Sequence, residues 1–215
     1  MFTTTQVGSW PRSKSLLIAL RDRQKGRLSE AEFQEVANAE IRRCVEFQEK
    51  AGSDVIVDGE LGRDNFYSFI TEKVSGTKLM SLAQMLDTVE DKAGFEEMLE
   101  ALDVPAAAIR NPTCTARIER RESLAGNELA FLKSITDRPI KITLPGPYLL
   151  TRSMWVTGLT NHAYDDKTEM AEDVVKLLRR ELIELRDAGA SFVQFDEPVL
   201  TEVVHSGESK RRTFM

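Results

Sequence analysis

The sequence predicts an α/β fold of the (β/α)8 TIM-barrel type, with about the first half of the barrel, four strands, present and a large insertion after strand 2. Short β-branched runs alternate with amphipathic helical stretches, which is the pattern of a parallel sheet. All four predicted strands end in Gly, Pro or an acid, as strands do when a site is built on their C-terminal rim. No GxGxxG or GxxxxGK[ST] follows any of them, so the nucleotide-phosphate folds lack their signature. A whole barrel takes ~250 residues, and this chain has 215. It reads as one partial barrel domain over 1–215, with 61–121 an insertion or lid within it.

The elements follow in order. Thr3–Val7 is a short β-branched strand closed by Gly8-Ser9-Trp10-Pro11. Ser13–Lys25 carries Leu16, Leu17 and Leu20 on one helical face and stops at Gly26. Ser29-x-x-Glu32 is a capping box that opens a helix running to about Ala51. Asp54–Val57 is the second strand, ended by Asp58-Gly59-Glu60. The stretch from Leu61 to about Arg121 is too long for a simple βα loop. Within it, Lys78–Glu90 and Gly94–Ala101 read as short helices and Thr113–Ile118 as a strand. Asn127–Ile135 is a helix, Ile140–Leu144 a strand ended by Pro145-Gly146-Pro147, and Thr168–Ala188 a long helix. The helix leads through Gly189 into Ser191–Phe195, read as a short buried strand stopped by Asp196-Glu197-Pro198.

Composition narrows the class. The chain is 41% hydrophobic and 30% charged with a net charge of −6, a globular balance with no basic block for nucleic acid. No apolar stretch approaches a membrane span, and the first residues lack the regions of a signal peptide. Cys44 and Cys114 stand far apart in no CxxC pattern, as reduced thiols of a cytoplasmic protein do.

Chemistry concentrates at the strand ends. Gly8-Ser9 offers a permissive backbone and a hydroxyl beside exposed amides, which suits a carboxylate, although a plain tight turn has the same composition. Glu60 and Asp196 end strands two and four at the same depth. Two carboxylates there suit an ammonium group or acid–base work, against the simpler reading of a salt bridge between Glu60 and Arg63. Asp196, Glu197 and Glu202 invite an oxygen-rich metal reading, but His205 is the one nitrogen ligand nearby. Glu197 reads as an ion-pairing or hydrogen-bonding residue of the loop. Trp155 and Tyr148 follow the Gly-Pro turn and suit stacking on a flat heterocycle or plain loop packing. His162 and His205 are isolated, and Arg120-Arg121 reads as a solvated face.

Four colinear stretches, TTTQVGSWPRS (3–13), VIVDGELGRDNFYSF (55–69), KITLPGPYLLTRSMW (141–155) and FVQFDEPVLTE (192–202), resemble the cobalamin-independent methionine synthase family, its C-terminal catalytic barrel and its short stand-alone relatives. The resemblance implies a zinc-dependent methyltransferase that moves a methyl group to the thiol of homocysteine, giving methionine. It places homocysteine binding on Val7, Gly8, Ser9, Glu60, Asp196 and Glu202, and folate stacking near Trp155. Strict counting puts Ser153 at the stacking tryptophan, and Asp58 replaces the family's usual histidine. Both departures favour a short relative with a methyl donor other than 5-methyltetrahydrofolate. The family's zinc is held by a His-x-Cys pair, a glutamate and a second cysteine in later strands, beyond Met215. No residue of this chain is therefore assigned to the metal or to the chemical step, and the chain is expected to be a fragment.

Two other readings stand beside this one. One is a zinc-dependent alkyl-thiol transferase or lyase of the same superfamily, acting on another thiol such as coenzyme M. The other is a non-catalytic half-barrel binding module. Four strands leave two open edges, so either a homodimer closing them or a poorly soluble chain is expected. The remaining partners are the thiol substrate and the methyl donor, with neither nucleic acid nor membrane.

Overall fold

The computed structural model describes residues 2–81, 84 and 110–200. The chain divides into two compact units. The first comprises Met1–Phe69, Ala125–Leu144 and Leu182–Phe195; the second comprises Ile70–Leu124, Pro145–Glu181 and Asp196–Met215.

In the first unit, helix α1 (Lys14–Gln24) starts at Ser13, whose hydroxyl accepts from the Leu16 amide. Helix α2 (Glu30–Lys50) opens with the expected capping box, Ser29 and Glu32 each satisfying the other's amide. Phe33, Ala37, Ile41, Cys44 and Val45 form its buried face at the spacing read from the sequence. Beside these helices runs a parallel ladder in chain order. Thr5 bridges Val55, and Ile56 bridges Ile140. The amides of Ser191 and Phe192 then donate to the Ile140 carbonyl. Thr3–Val7 and Asp54–Val57 make only these isolated bridges, so they are shorter as ladder segments than as sequence runs. Helix α4 (Gly126–Lys133) precedes strand β3 (Lys141–Pro145), every residue of which is buried.

Strand β4 (Phe192–Asp196) pairs with β3. It corrects the expectation of a buried strand: Phe192 is 52% exposed and Phe195 37%. Its one strand partner among the described residues is β3, so its far edge faces no ladder.

The second unit holds helix α3 (Ile70–Lys73) and an antiparallel pair, β1 (Val74–Ser81) and β2 (Arg110–Arg120). The predicted helix at Lys78–Glu90 is corrected for Lys78–Ser81, which is extended. Lys78 pairs with Thr113 and Ser81 with Arg110, and this pairing outweighs local helix preference. The rest of that segment apart from Gln84, and Gly94–Ala101, lie outside the described residues. The register shifts between Ser75 and Thr77, at Gly76 with φ +79°, where a Cβ would lie 2.2 Å from the Arg117 carbonyl oxygen. Helix α5 (Pro147–Met154), absent from the sequence reading, follows the Pro-Gly-Pro turn with proline in its first turn.

Helix α6 (Lys167–Asp187) buries Met170, Val174, Leu178 and Leu185, but leaves Val175 and Leu182 substantially exposed. Glu181 is fully buried instead, bonded by Arg120 at 2.8 Å and the Ser123 hydroxyl at 2.8 Å. The solvated-face reading of Arg120 is therefore corrected; this guanidinium neutralises a carboxylate that could not be buried alone. No helix among the described residues is long and apolar enough to cross a membrane.

Candidate functional site

The first unit gathers a polar cluster where the segments ending at Gly8 and Glu60 leave the ladder. The Ser9 hydroxyl donates to Glu60 Oε2, and the Thr143 hydroxyl donates to Oε1 at 2.8 Å. Glu60 is 2% exposed. A carboxylate offers about four acceptor positions, of which these hydroxyls take two. Gly8 is required here by proximity: a Cβ on it would lie 2.8 Å from Glu60 Oε1. The expected meeting of Gly8, Ser9 and Glu60 is thus found in one unit. Val7 enters differently. Its side chain is exposed, while its carbonyl accepts from Lys141 Nζ at 3.1 Å and Gln194 Nε2 at 2.8 Å.

Glu60 is held in an uncommon backbone state. Its φ is +56°, the one positive value at a non-glycine among the described residues, and Gly59 before it has φ +71°. A left-handed non-glycine residue costs about 1–2 kcal/mol and persists where its surroundings over-determine it. They do so here. The Glu60 amide donates to Asp58 Oδ1 at 2.9 Å, the Gly59 carbonyl accepts from the Trp10 amide at 2.9 Å, and the Glu60 carbonyl accepts from the Arg63 amide and Arg12 Nη2.

The Glu60–Arg63 salt bridge is present but secondary, at 3.9 Å. Arg63 instead grips Glu128 with two nitrogens, at 2.8 and 2.5 Å, and donates to the Thr143 carbonyl at 2.8 Å. Burial works against the Arg63 charge, and Glu128, with Asp58 and Glu60, more than restores it, so the guanidinium stays charged. Asp58 is the opposite case. Burial first, and the Glu128 charge second, push its carboxyl up to about 7, against the pull of Arg63 and the Glu60 amide. Its Oδ2 is buried without a hydrogen-bond partner.

Lys141 and Thr143 were missed in the sequence, although KITLP carries their signal. Polar residues at alternate positions of a wholly buried strand share one side of it. Lys141 is 5% exposed and donates to the carbonyls of Gln6 and Val7 and to Gln194 Oε1, tying the Val7–Ser9 segment down.

In the second unit, Asp196 is half-buried and its carbonyl accepts from the Gly146 amide at 2.8 Å. Glu197 caps α5, its carboxylate accepting from the Tyr148 and Leu149 amides at 2.7 and 2.9 Å. Negative charge at a helix N-terminus is favourable, so this acid has a structural task. Ser153 turns its hydroxyl back onto the Leu149 carbonyl, and Trp155 sits just past the end of α5 with its indole nitrogen near the Thr157 hydroxyl. Glu202 and His205 lie outside the described residues, and His162 is exposed in a short 3-10 turn.

The zinc implied by the resemblance finds no fit: among the described residues no group of three His, Cys, Asp or Glu could hold a metal ion. Cys44 and Cys114 are buried free thiols. Burial pushes Cys44 up to about 12, with the Asp58 charge adding to it, and pushes Cys114 up to about 11. Neither is a ready thiolate.

The α/β fold and a strand-end acid cluster beside a Gly-Ser turn define an α/β protein with a polar site at its strand ends. The family signature described as "Cobalamin-independent synthase, Catalytic domain" matches residues 1–215, and the chain belongs to that family. It is similar to the methionine synthase of Saccharolobus solfataricus, 31% identical over 93% of this chain and 54% of the relative. It is 31% identical to the 5-methyltetrahydropteroyltriglutamate–homocysteine methyltransferase of Streptomyces avermitilis, over all of this chain and 25% of that protein. Among solved structures, a B12-independent methionine synthase from Shewanella sp. in complex with selenomethionine superposes with a TM-score of 0.60 at 24% identity, over 83% of this chain and 47% of that one. A chain from Listeria monocytogenes reaches 0.69 at 21% identity over 97% of this chain and 55% of its own length. These structural likenesses show the fold. The chain spans about half the length, or less, of the curated relatives it matches.

Proposed function

We propose that this chain carries the amino-acid-binding part of a homocysteine methyltransferase, whose parent protein moves a methyl group to the homocysteine sulfur to give methionine. The observation that carries the reading is the Ser9–Glu60 pair beside Gly8. A buried carboxylate with acceptor positions left over, next to a hydroxyl and a glycine backbone packed against it, suits an ammonium and a carboxylate on one carbon. Asp196 and Glu202 are proposed as further contacts on the family resemblance alone. Trp155 is proposed to stack on the donor, which is 5-methyltetrahydrofolate or another methyl carrier. The family implies zinc, which would present the substrate thiol as a thiolate. The described residues do not fit the metal, and the residues here bind and orient.

The proposal includes an architecture: a half barrel of four strands with 61–121 as insertion or lid, in a fragment of a larger protein. Two cysteines kept as free thiols suit the cytoplasm. L-methionine and L-homocysteine are expected to bind in calorimetry, and a thiol without the amine and carboxylate, such as coenzyme M, is not. Equal affinity for the two classes of thiol would favour the alkyl-thiol enzyme instead. The 215-residue chain is expected to show no methyl transfer, so turnover by it would overturn the fragment reading.

A further inference from the structure

Resting on that reading, we propose that Asp58 is a positioning residue that couples ligand binding to a proton: its carboxyl holds the Glu60 turn through one oxygen and, when an ammonium group seats at Glu60, releases the proton carried on its buried carboxyl. The geometry supplies both halves. Oδ1 accepts the Glu60 amide at 2.9 Å, clamping a residue at φ +56°. Oδ2 is buried with no partner, as an oxygen of a neutral acid can be at lower cost than one of an ionised carboxylate.

The charged and titratable groups around Asp58 come from every neighbouring element. Glu60 and Arg63 flank it on the turn, Glu128 faces it from α4, and Cys44 lies on α2 with a thiol sensitive to the Asp58 charge. Arg12 reaches the turn from the N-terminal segment, bonding the carbonyls of Glu60 and Arg63. With Asp58 neutral, Glu60 and Glu128 balance Arg63 and Arg12. L-Methionine arrives as a zwitterion with no net charge, but its ammonium end, the one seated at Glu60, favours ionised Asp58 over the neutral acid. The bookkeeping is a single transfer: the Asp58 O–H bond breaks, the electron pair stays on the carboxylate, and the proton goes to the buffer. Burial and the Glu128 charge, which bring the free carboxyl to about 7, place this exchange near neutrality.

The test is calorimetry of L-methionine, which has the amino-acid end and no titrating thiol, against the 215-residue chain at pH 6 and pH 8 and in buffers of different ionisation enthalpy. A free Asp58 titrating near 7 and ionised in the complex gives binding about tenfold tighter at pH 8 than at pH 6. It also releases about half a proton per ligand at pH 7. Asp58→Asn keeps the acceptor for the Glu60 amide but has no proton to give; it is expected to bind with a flat profile and no release. Asp58→Ala loses the clamp as well and is expected to weaken binding at both pH values. A pH profile and proton release equal in wild type and Asp58→Asn would overturn the coupling while leaving the homocysteine reading intact. Failure of the wild-type chain to bind methionine at any pH would overturn that reading, and the coupling with it.

Discussion

At the scale of the residue, the cluster around Glu60 makes two separable predictions. Glu60→Gln removes the charge that attracts an ammonium but keeps an acceptor for Ser9 or Thr143. It is expected to weaken methionine binding by ~10–100-fold, the loss of one charge-assisted hydrogen bond, in the same calorimetric titration. No change would count against an amine at this site. The second prediction concerns stability. The Asp58 carboxyl is raised to about 7 in the folded chain and is near 3.9 when unfolded. The folded state therefore binds the proton more tightly. The associated stability is fully present below about pH 4 and is lost as the pH rises to about 7, by ~4 kcal/mol over the whole interval. Urea denaturation at pH 4, 5.5 and 7 should show this loss in wild type relative to Asp58→Asn. The difference between the two proteins is the readout, because carboxylates such as Asp54, held below their usual range by hydrogen bonds from Thr4, act in the opposite direction.

At the scale of the element, α5 depends on a contact made from the far side of a turn. Glu197 follows β4, yet its carboxylate satisfies the first amides of a helix that follows β3. Gly146 leaves room for it: a Cβ there would fall 2.1 Å from Glu197 Oε1. Gly146→Ala and Glu197→Ala should each destabilise the chain by about 1–2 kcal/mol, the range of a lost N-terminal cap. Because both act through one contact, the double variant should be no worse than the poorer single one, and additive losses in chemical denaturation would refute the shared cause. This contact also shows why the sequence was only partly legible. Ser29-x-x-Glu32 announced its helix because both halves of the cap lie within four residues. The cap of α5 spans the distance from Tyr148 to Glu197, which no local pattern records. Composition marked Gly8-Ser9 and Glu60 each as a strand end, and the family resemblance grouped them. Asp58, Arg63 and Glu128 were not legible as a group, since their pairing depends on burial. Lys78–Ser81 failed in the other direction: its helical look yielded to a strand partner far off in sequence, Arg110–Thr113.

At the scale of the whole molecule, β4 makes the chain's assembly testable. An edge strand offers a row of backbone donors and acceptors, and natural edges are guarded by charge, proline or short length. β4 has the short length, and its charged and proline guards, Asp196 and the Glu197-Pro198 that follow, stand at its C-terminal end and leave Phe192–Phe195 unguarded. Phe192 and Phe195 stand exposed on it, and Leu182 and Ile183 of the preceding helix are 37% and 39% exposed. Apolar surface beside an edge with no further strand among the described residues favours a second strand from another copy, whose parallel or antiparallel addition would bury both phenylalanines. Each large side chain fully buried contributes ~1.5–3 kcal/mol. Such a contact offsets part of the association cost, which runs to several kcal/mol. The purified 215-residue chain is therefore expected to sediment as a dimer or larger at tens of micromolar, on the order where such modest interfaces fill. Phe192→Lys should shift it towards monomer, because an edge lysine cannot be buried against a second copy without losing its hydration. The substitution lies at an exposed position, so its effect on the thermal midpoint should be small. A monomeric wild-type chain across that concentration range would refute the edge as an association surface. An unchanged dimer in Phe192→Lys would move the interface elsewhere on the molecule.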